Sequence, residues 1–253
     1  MPIHETEAIV LRQYPLADSD RIVVFITREF GKMRAVARGA KKPKSRLAGH
    51  LEPLNHVQLE FFSREGRELG YIRQAETIHS YLGMGPSLNQ IYVFTYFAEL
   101  TNELIQDNQP NDALFRLLLA SLRAGEKQFV LEPLVRYFEI WCLKISGLLP
   151  NYDYCSYCGK YVKDEGFFAW MRDGQARCTA CAQGRGFKMG AQAADALQAI
   201  IKLPPSRFGR LPLDTNAACE IERLTQGLIG LHLEKQLKSY RMVKDTLKRQ
   251  SQQ

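Results

Sequence analysis

The chain has 253 residues, of which 45% are hydrophobic and 24% charged, and its formal net charge is +7. This length allows one large or two small domains with a metal module, and the composition is typical of a globular protein rather than a disordered one. Apolar runs are shorter than the roughly 18–20 residues of a membrane helix, and the first residues lack the pattern of a secretory signal. We therefore expect a cytoplasmic protein with no membrane partner.

The positive charge lies toward both ends of the chain. Lys and Arg outnumber Asp and Glu in residues 1–80 and 151–253, whereas acidic residues slightly outnumber basic ones in residues 81–150. A modest basic excess is weak evidence for binding to a polyanion. The positions of the basic residues along the chain are therefore better evidence for nucleic-acid binding than the net charge.

Residues 1–80 contain short runs rich in Val, Ile and aromatic residues, separated by turn residues, and this pattern predicts strands. The predicted strands are Glu7–Gln13, Arg21–Arg28, Met33–Arg38, Val57–Phe62 and Leu69–Ser80. Five short strands fit a small closed barrel better than a sandwich, which usually needs about seven. The sequence therefore predicts a five-stranded OB-fold barrel over residues 1–80.

From residue 86 the apolar spacing becomes helical. Ser87 and Gln90 form the pattern of a capping box, and a helix is predicted to follow them as far as Ile105. Further predicted helices are Leu114–Leu122, Leu131–Leu148, Gln192–Leu203, Asn216–Leu233 and Lys235–Lys248. Since helices flank the cysteine-containing residues 151–187, we predict an α+β multi-domain protein with a C-terminal all-α domain, residues 81–253, into which a zinc module is inserted.

Four cysteines form two C-x-x-C pairs with the separation usual for a metal site: Cys155, Cys158, Cys178 and Cys181. Two disulfides are the competing interpretation, which a cytoplasmic location disfavours. Four thiolates close a tetrahedral coordination sphere, whereas catalytic zinc keeps one position open. The spacing therefore predicts one structural Zn²⁺, and the residues between the pairs predict a hairpin that turns at Asp173-Gly174.

Other residues near the cysteine pairs carry structural predictions. Cys142 and Cys219 lie in apolar helical contexts, so we expect both to be buried in the core. The first cysteine pair is surrounded by Tyr154, Tyr157 and Tyr161, and we expect these rings to pack the module onto the helices.

The first basic cluster has seven Lys or Arg in fifteen residues and no acidic residue: Lys32, Arg34, Arg38, Lys41, Lys42, Lys44 and Arg46. A solvated loop would explain most charge runs. This run, however, leads from the third predicted strand into a Gly- and Pro-containing loop, and such strands line the nucleic-acid groove of an OB barrel. We therefore expect these groups to contact phosphates.

Aromatic residues offer base stacking beside this cluster. Phe61, Phe62 and Tyr71 lie in the appropriate strands, although a barrel core also needs aromatic residues and we expect at least half of them to serve it.

A second cluster lies near the C-terminus and contains Lys235, Lys238, Arg241, Lys244, Lys248 and Arg249. It is either the solvated face of a surface helix or an additional contact with DNA.

Together these motifs resemble the bacterial RecO family of DNA repair and recombination mediators. The strongest match is Val36-Ala37-Arg38-Gly39-Ala40 with Lys41-Lys42-Pro43-Lys44-Ser45, followed by Leu51-Glu52-Pro53. Weaker matches are Glu132-Pro133 with Arg136-Tyr137-Phe138-Glu139, and Leu237-Lys238-Ser239. The order of the predicted domains is similar over the whole chain.

The resemblance implies a nucleoid-associated protein that binds single- and double-stranded DNA and anneals complementary strands. It implies action with RecR, and in some members RecF, to help RecA displace single-strand-binding protein (SSB). By this match the DNA-binding residues include Arg12, Arg34, Arg38, Lys41, Lys42, Lys44 and Arg46, to which we add Lys235, Lys238 and Arg241. The acidic SSB C-terminal tail docks on the helical domain of some relatives, which makes Arg136 a candidate to bind its carboxylates.

Two other functions compete with a non-enzymatic mediator. A metal-dependent nuclease would need a carboxylate cluster, and Asp18 and Asp20 are the nearest pair, although a turn-capping role explains them better. An RNA- or protein-binding adaptor is the other alternative, because OB folds and zinc knuckles serve all these roles.

Overall fold

The computed structural model describes residues 3–63, 69–83, 85–127, 130–170, 172–204, 207 and 213–250, without the side chains of 248–250. The chain divides into two compact units, Met1–Leu122 and Arg123–Gln253. No helix in the described ranges is long and apolar enough to span a membrane. The predicted boundary after residue 80 marks the change from strands to helices. This boundary between the two predicted domains remains a proposal, and the two compact units divide the chain at a later position, after Leu122.

The first unit contains a closed five-stranded barrel, as predicted. Its strands are β1 (Ile3–Leu16), β2 (Asp20–Thr27), β3 (Gly31–Ala37), β4 (Asn55–Phe62) and β5 (Gly70–Ser80), in the order β1-β2-β3-β5-β4. Neighbouring strands are antiparallel except for β3 and β5, which pair in parallel at Val36 and Tyr71. Closure leaves the sheet without a free edge strand.

Alternating residues of each strand fill the barrel. Val10, Val23, Phe25, Ala35 and Phe61 belong to one buried apolar cluster. Their neighbours along the strands point outward because successive side chains lie on opposite faces of a strand. The outward set includes the basic residues of β1 and β3.

A β-bulge in β1 shifts the strand register between Val10 and Arg12. Beyond the bulge, Arg12 lies opposite Val24 and Tyr14 lies opposite Ile22. Since a bulge adds one residue to one strand, it reverses the facing of all later side chains of that strand. It is this shift that places Arg12 and Tyr14 on the outer surface.

Helices follow the barrel where the sequence predicts them. Helix α1 (Leu88–Leu104) begins at Ser87 with the predicted capping box, and helix α2 covers Asp112–Gly125. The segment between them lies along β3, where the backbone N–H of Asn108 donates to the carbonyl of Lys32 at 2.8 Å.

The second unit combines helices with a small sheet. Its elements are α3 (Glu132–Ile145), β6 (Phe167–Trp170), β7 (Gln175–Arg177), α4 (Thr179–Ala182), β8 (Phe187–Met189), α5 (Ala191–Lys202), α6 (Thr215–Leu233) and α7 (Tyr240–Gln250). Helices α3, α5 and α6 pack against one another, and the sheet has the order β7-β6-β8.

The last helix begins later than predicted. Glu234 has a left-handed backbone conformation, with φ 53°, and ends α6. Helix α7 begins only at Tyr240, and Leu237, in the segment that connects the two helices, is buried. Lys235 and Lys238 therefore lie in the connecting turn and not on the predicted helix.

Candidate nucleic-acid face and metal centre

Two rows of side chains cross the outer surface of the barrel from β1 to β3. One row is Arg12, Val24 and Arg34, and the next is Tyr14, Ile22, Val36 and, on β5, Tyr71. Because residues paired across strands share a face of the sheet, each row forms one continuous strip. We call this surface the barrel face.

Two arginines stack on the tyrosines of the barrel face: Arg12 of the face itself, and Arg38 just beyond the end of β3. The guanidinium carbon of Arg12 lies 4.7 Å from the ring centre of Tyr14, and that of Arg38 lies 4.5 Å from the ring centre of Tyr71. A cation–π contact holds a guanidinium in a defined position while its N–H groups remain available to phosphate oxygens. Tyr14 is not among the residues predicted from the sequence, although the Arg-x-Tyr spacing within a strand places Arg12 and Tyr14 on one face.

The remaining residues of the first cluster lie in the loop that follows β3. Lys41, Lys42, Lys44 and Arg46 are all exposed. Tight backbone turns hold this loop, with the N–H of Lys42 donating to the carbonyl of Gly39 at 3.0 Å. Gly39 has a φ of 67°, a conformation that L side chains rarely adopt. The loop therefore presents four cations from a constrained backbone.

Asp20 anchors the start of this loop. Its carboxylate accepts hydrogen bonds from the backbone N–H of Gly39 at 2.8 Å and from the hydroxyl of Ser19 at 2.9 Å. These two bonds, together with the charges of Arg38 and Lys42, lower the pKa of Asp20 below its ordinary value of 3.8. The carboxylate is thus engaged in positioning the basic loop.

Part of the basic cluster is neutralised internally. The ammonium of Lys32 lies 2.9 Å from one oxygen of Asp107 and donates to the carbonyl of Asn102, and the residue is only 6% exposed. Arg34 lies 2.9 Å from the other oxygen of Asp107, although 48% of its side chain is exposed. Lys32 therefore has a structural role in a buried ion pair with Asp107. Arg34 is exposed enough to contact a phosphate, but its charge is partly neutralised by the same carboxylate.

The three aromatic residues named from the sequence divide between the core and the surface. Phe61 is fully buried and packs edge-on against Phe25 at 5.6 Å, whereas Phe62 is partly buried at the end of β4. Tyr71 lies on the barrel face beneath Arg38.

The four cysteines of the predicted metal site come together in the second unit. Their sulfur atoms all lie within 4.8 Å of one another, and those of Cys158 and Cys178 are 3.7 Å apart. A disulfide would need about 2.05 Å, and a tetrahedron of zinc–sulfur bonds of about 2.3 Å has edges of about 3.8 Å. The geometry fits one metal ion held by four sulfurs.

Backbone turns shape this metal site. The N–H of Gly159 donates to the carbonyl of Cys155 at 2.9 Å, and that of Ala182 donates to Cys178 at 2.9 Å. Burial opposes ionisation of the Cys155 thiol, but backbone N–H groups, that of Cys178 foremost, lower its pKa to about 6. Hydrogen bonds to the neighbouring sulfurs, first that of Cys178, raise the pKa of Cys181 to about 12. Four crowded thiols cannot all ionise unless a cation neutralises them.

The predicted hairpin between the cysteine pairs is present. Strands β6 and β7 pair from Phe168–Arg177 to Trp170–Gln175, and the turn is closed by the N–H of Gly174 donating to the carbonyl of Trp170 at 2.7 Å. The third strand, β8, is not predicted from the sequence, because three residues are too few to show alternation.

Two structural predictions about this region are wrong. All three predicted tyrosines are exposed, by 52% in Tyr154, 79% in Tyr157 and 44% in Tyr161, so these rings do not pack the module onto the helices. Tyr152 is buried and stacks on Phe167 at 4.8 Å, a contact within the module. Cys219 is exposed because α6 turns a different face to the core, whereas Cys142 is fully buried as predicted.

Arg136 does not lie on a surface that a partner could reach. Its side chain is 1% exposed, and its guanidinium lies 2.8 Å from Glu139, one turn further along α3. The carboxylate of Glu139 also accepts hydrogen bonds from Thr225 and Gln226 of α6. The expectation that Arg136 binds the SSB tail is thus corrected, because this guanidinium serves a buried ion pair.

The C-terminal basic residues are largely exposed. Lys235, Lys238 and Arg241 are exposed, and Lys235 and Arg241 help to line a groove of about 620 Å³ beside α6. Lys244 lies 3.2 Å from Glu222. The side chains of Lys248 and Arg249 lie outside the described residues.

Family models match most of the chain. Residues 1–81 match the model described as recombination protein O N terminal, and residues 85–241 match recombination protein O C terminal.

Curated relatives are similar over nearly their full length. A DNA repair protein RecO from Koribacter versatilis is 31% identical over 95% of this chain and 98% of its own. A RecO from Symbiobacterium thermophilum is 33% identical over 98% of this chain and 99% of its own. A RecO from Geobacter metallireducens is 33% identical over 94% of this chain and 96% of its own.

Proposed function

Since this chain belongs to the recombination protein O family of DNA repair proteins, we propose that it anneals complementary single strands and helps to load RecA onto SSB-coated DNA. RecR is its expected partner in this step, with RecF taking part in some pathways. The SSB C-terminal tail remains an expected ligand of the helical domain. Double-stranded DNA is a further expected ligand.

The observation that carries this proposal is the juxtaposition of stacked tyrosines with an acid-free basic loop. Arg12 and Arg38 lie on Tyr14 and Tyr71 of the barrel face, and the exposed residues of the loop extend the positive charge. Aromatic rings accept unpaired bases of any sequence, and the cations hold the backbone between them. This combination suits single-stranded DNA without sequence preference.

The mechanism needs only electrostatics and positioning. Two complementary strands repel each other through their phosphates, and cations that neutralise both backbones lower this repulsion. The flexible bases can then search for pairing. Nucleotide hydrolysis is not required, in agreement with a sequence that contains no G-x-x-x-x-G-K-[ST] loop.

Strand annealing with SSB-coated oligonucleotides tests this function. The double variant Arg38→Glu/Lys42→Glu should reduce affinity for single-stranded DNA by about tenfold or more and slow annealing, because two phosphate contacts become repulsive. The matched control is Arg116→Glu/Arg123→Glu, which changes the net charge equally at two exposed sites of α2. An unmodified protein that anneals no faster than buffer would end the proposal.

A nuclease remains the competing enzymatic function, and the position of Asp20 argues against it. One oxygen of its carboxylate accepts from both the N–H of Gly39 and the hydroxyl of Ser19, so holding the start of the basic loop accounts for this residue without a catalytic metal. We therefore propose a non-enzymatic protein. Magnesium-dependent cleavage that Asp20→Asn abolishes would reverse this conclusion.

We assign zinc to the four-cysteine site and give it a structural role. Four thiolates suit Zn²⁺ and leave no position for water or substrate. Cys155, Cys158, Cys178 and Cys181 would hold the ion, which joins the turn that contains the first cysteine pair to the start of α4. Elemental analysis of the purified protein should find one zinc per chain.

A further inference from the structure

The three-stranded sheet beside the metal site has one buried face and one outward face. Phe167 and Ala169 of β6 are buried, as are Ala176 of β7 and Phe187 of β8. Phe187 is further covered by Arg223 of α6, whose guanidinium lies 4.7 Å from the ring centre. The inner face of the sheet therefore belongs to the core, whereas the side chains of the outward face are not needed for core packing.

The outward face has aromatic residues on its central strand and cations on both sides. Phe168 lies directly between Arg177 of β7 and Lys188 of β8. Trp170 follows two residues later on the same face, and the guanidinium of Arg177 lies 4.1 Å from its ring centre. Both rings are partly exposed, and Lys188 is exposed.

A cleft continues this surface at the end of β6. It encloses about 590 Å³ and is lined by Trp170, Arg172, Arg185 and Gly186, and both arginines are exposed. A Cβ on Gly186 would lie 2.6 Å from the carbonyl oxygen of Ala169, so only glycine fits at this position. At Gly186 the cleft is therefore lined by the backbone and not by a side chain. Asp173 offsets part of the charge through a 3.4 Å pair with Arg177.

We propose that this outward face of β7-β6-β8, the module face, is a second binding surface for single-stranded DNA. Bases stack on Phe168 and on the Trp170–Arg177 pair, and phosphates contact Lys188, Arg172 and Arg185. Residues two apart on one face of a strand are about 6.6 Å apart, which suits neighbouring bases of a stretched single strand. Aromatic residues on a sheet flanked by cations bind single strands in this way.

The chemistry of the face favours single-stranded DNA over other polyanions. A duplex hides the flat faces of its bases in the stack and exposes only phosphates, sugars and base edges, so it would leave both rings without a stacking partner. An acidic peptide would engage the cations but gains little from two flat aromatic surfaces. The choice of DNA as ligand rests on the proposed function, but the two surfaces consist of different residues and can be tested separately.

Tryptophan fluorescence tests the contact directly. The chain has two tryptophans, and Trp141→Phe leaves Trp170 as the reporter. Addition of oligo(dT) to this variant should quench its emission saturably. Lys188→Glu/Arg185→Glu should weaken the quenching titration by about tenfold, whereas Lys202→Glu, about 17 Å along α5 from its start, should leave it unchanged.

A second set of variants separates stacking from folding. Trp170→Ala should weaken binding of oligo(dT) by about tenfold, and Trp170→Phe should restore most of it because a ring remains. Zinc content and the melting temperature should be the same in both. If the two variants bind equally well, stacking on residue 170 is excluded and the inference fails.

Other outcomes distinguish this inference from the proposed function. Quenching that persists in Arg38→Glu/Lys42→Glu supports a surface separate from the barrel face. Binding of oligo(dT) by anisotropy without quenching overturns the inference and leaves the proposed function intact. Equal quenching by a duplex, or quenching by polyglutamate but not oligo(dT), also overturns it. If oligo(dT) neither changes its anisotropy on addition of the unmodified protein nor quenches the tryptophan emission, both proposals fail.

Discussion

A single carboxylate, that of Asp20, determines where the basic loop leaves the barrel. It joins the start of β2 to Gly39, just beyond the end of β3, and the cations Arg38 and Lys42 lie near enough to lower its pKa. The ionised form therefore favours the folded loop at every pH above its ordinary value of 3.8. This contribution is lost as the pH falls through the lowered pKa.

Replacing Asp20 should loosen the loop without unfolding the barrel. In Asp20→Ala the N–H of Gly39 loses its acceptor, so the amides of residues 39–46 should exchange with deuterium faster, and affinity for DNA should fall severalfold. Asp20→Asn keeps an acceptor oxygen and should show a smaller change. Asp18→Ala is the control, because no hydrogen bond of the loop depends on it. Equal exchange in all three variants would contradict the anchoring role.

The buried pair of Arg136 and Glu139 shows what residue types alone do not reveal. An arginine in a helix is exposed more often than buried, so its charge suggests a partner. Here the guanidinium and carboxylate lie between α3 and α6, and Thr225 and Gln226 satisfy the carboxylate. Only the packing of two helices distant in sequence distinguishes an internal pair from a docking residue.

Removing one member of this pair should be far more damaging than removing a surface pair. Glu139→Ala leaves a buried guanidinium without its carboxylate, which costs about 3–5 kcal/mol of unfolding free energy. Glu165→Ala removes the partner of Lys160 in an exposed ion pair that water screens, and should change the free energy of unfolding far less. Urea denaturation monitored by circular dichroism measures both. Similar losses in the two variants would refute the buried role of Glu139.

At the scale of elements, periodicity predicted most of the fold. All five barrel strands and the capping box at Ser87 are where the pattern places them, because alternation and caps are local signals. The late start of α7 depends on a left-handed Glu234, and the exposure of Cys219 depends on which side of α6 meets α3. Neither the backbone conformation nor the choice of helix face is encoded in residue spacing.

Loss of the metal site should destabilise the second unit and spare the first. Cys155→Ser removes one ligand of a buried cluster, and because metal binding and folding are coupled, we expect a loss of at least about 2 kcal/mol. Cys219→Ser alters an exposed cysteine and should change nothing. Calorimetry with zinc analysis measures the effect. Normal melting with lost DNA binding in Cys155→Ser would show that the site has a direct role in binding.

At the scale of the whole molecule, the net charge of +7 is less informative than its location. Asp107 neutralises part of the first cluster, and Glu222 holds Lys244 of the second. The sequence from Lys32 to Arg46 contains no acidic residue, and the exposed cations of the loop after β3 outnumber the carboxylate of Asp20 that lies beside them. DNA binding should therefore depend on salt mainly through this loop.

The salt dependence of affinity gives the number of phosphates that the loop contacts. Each contact with single-stranded DNA contributes about 0.7 to the slope of log affinity against log salt concentration. Arg38→Ala/Lys42→Ala should thus reduce the slope by about 1.4, whereas Lys32→Ala should hardly change it, since that ammonium is already held by Asp107. Fluorescence anisotropy with labelled oligo(dT) between about 50 and 200 mM salt measures the slopes. An unchanged slope in the double variant would place the phosphate contacts elsewhere on the protein.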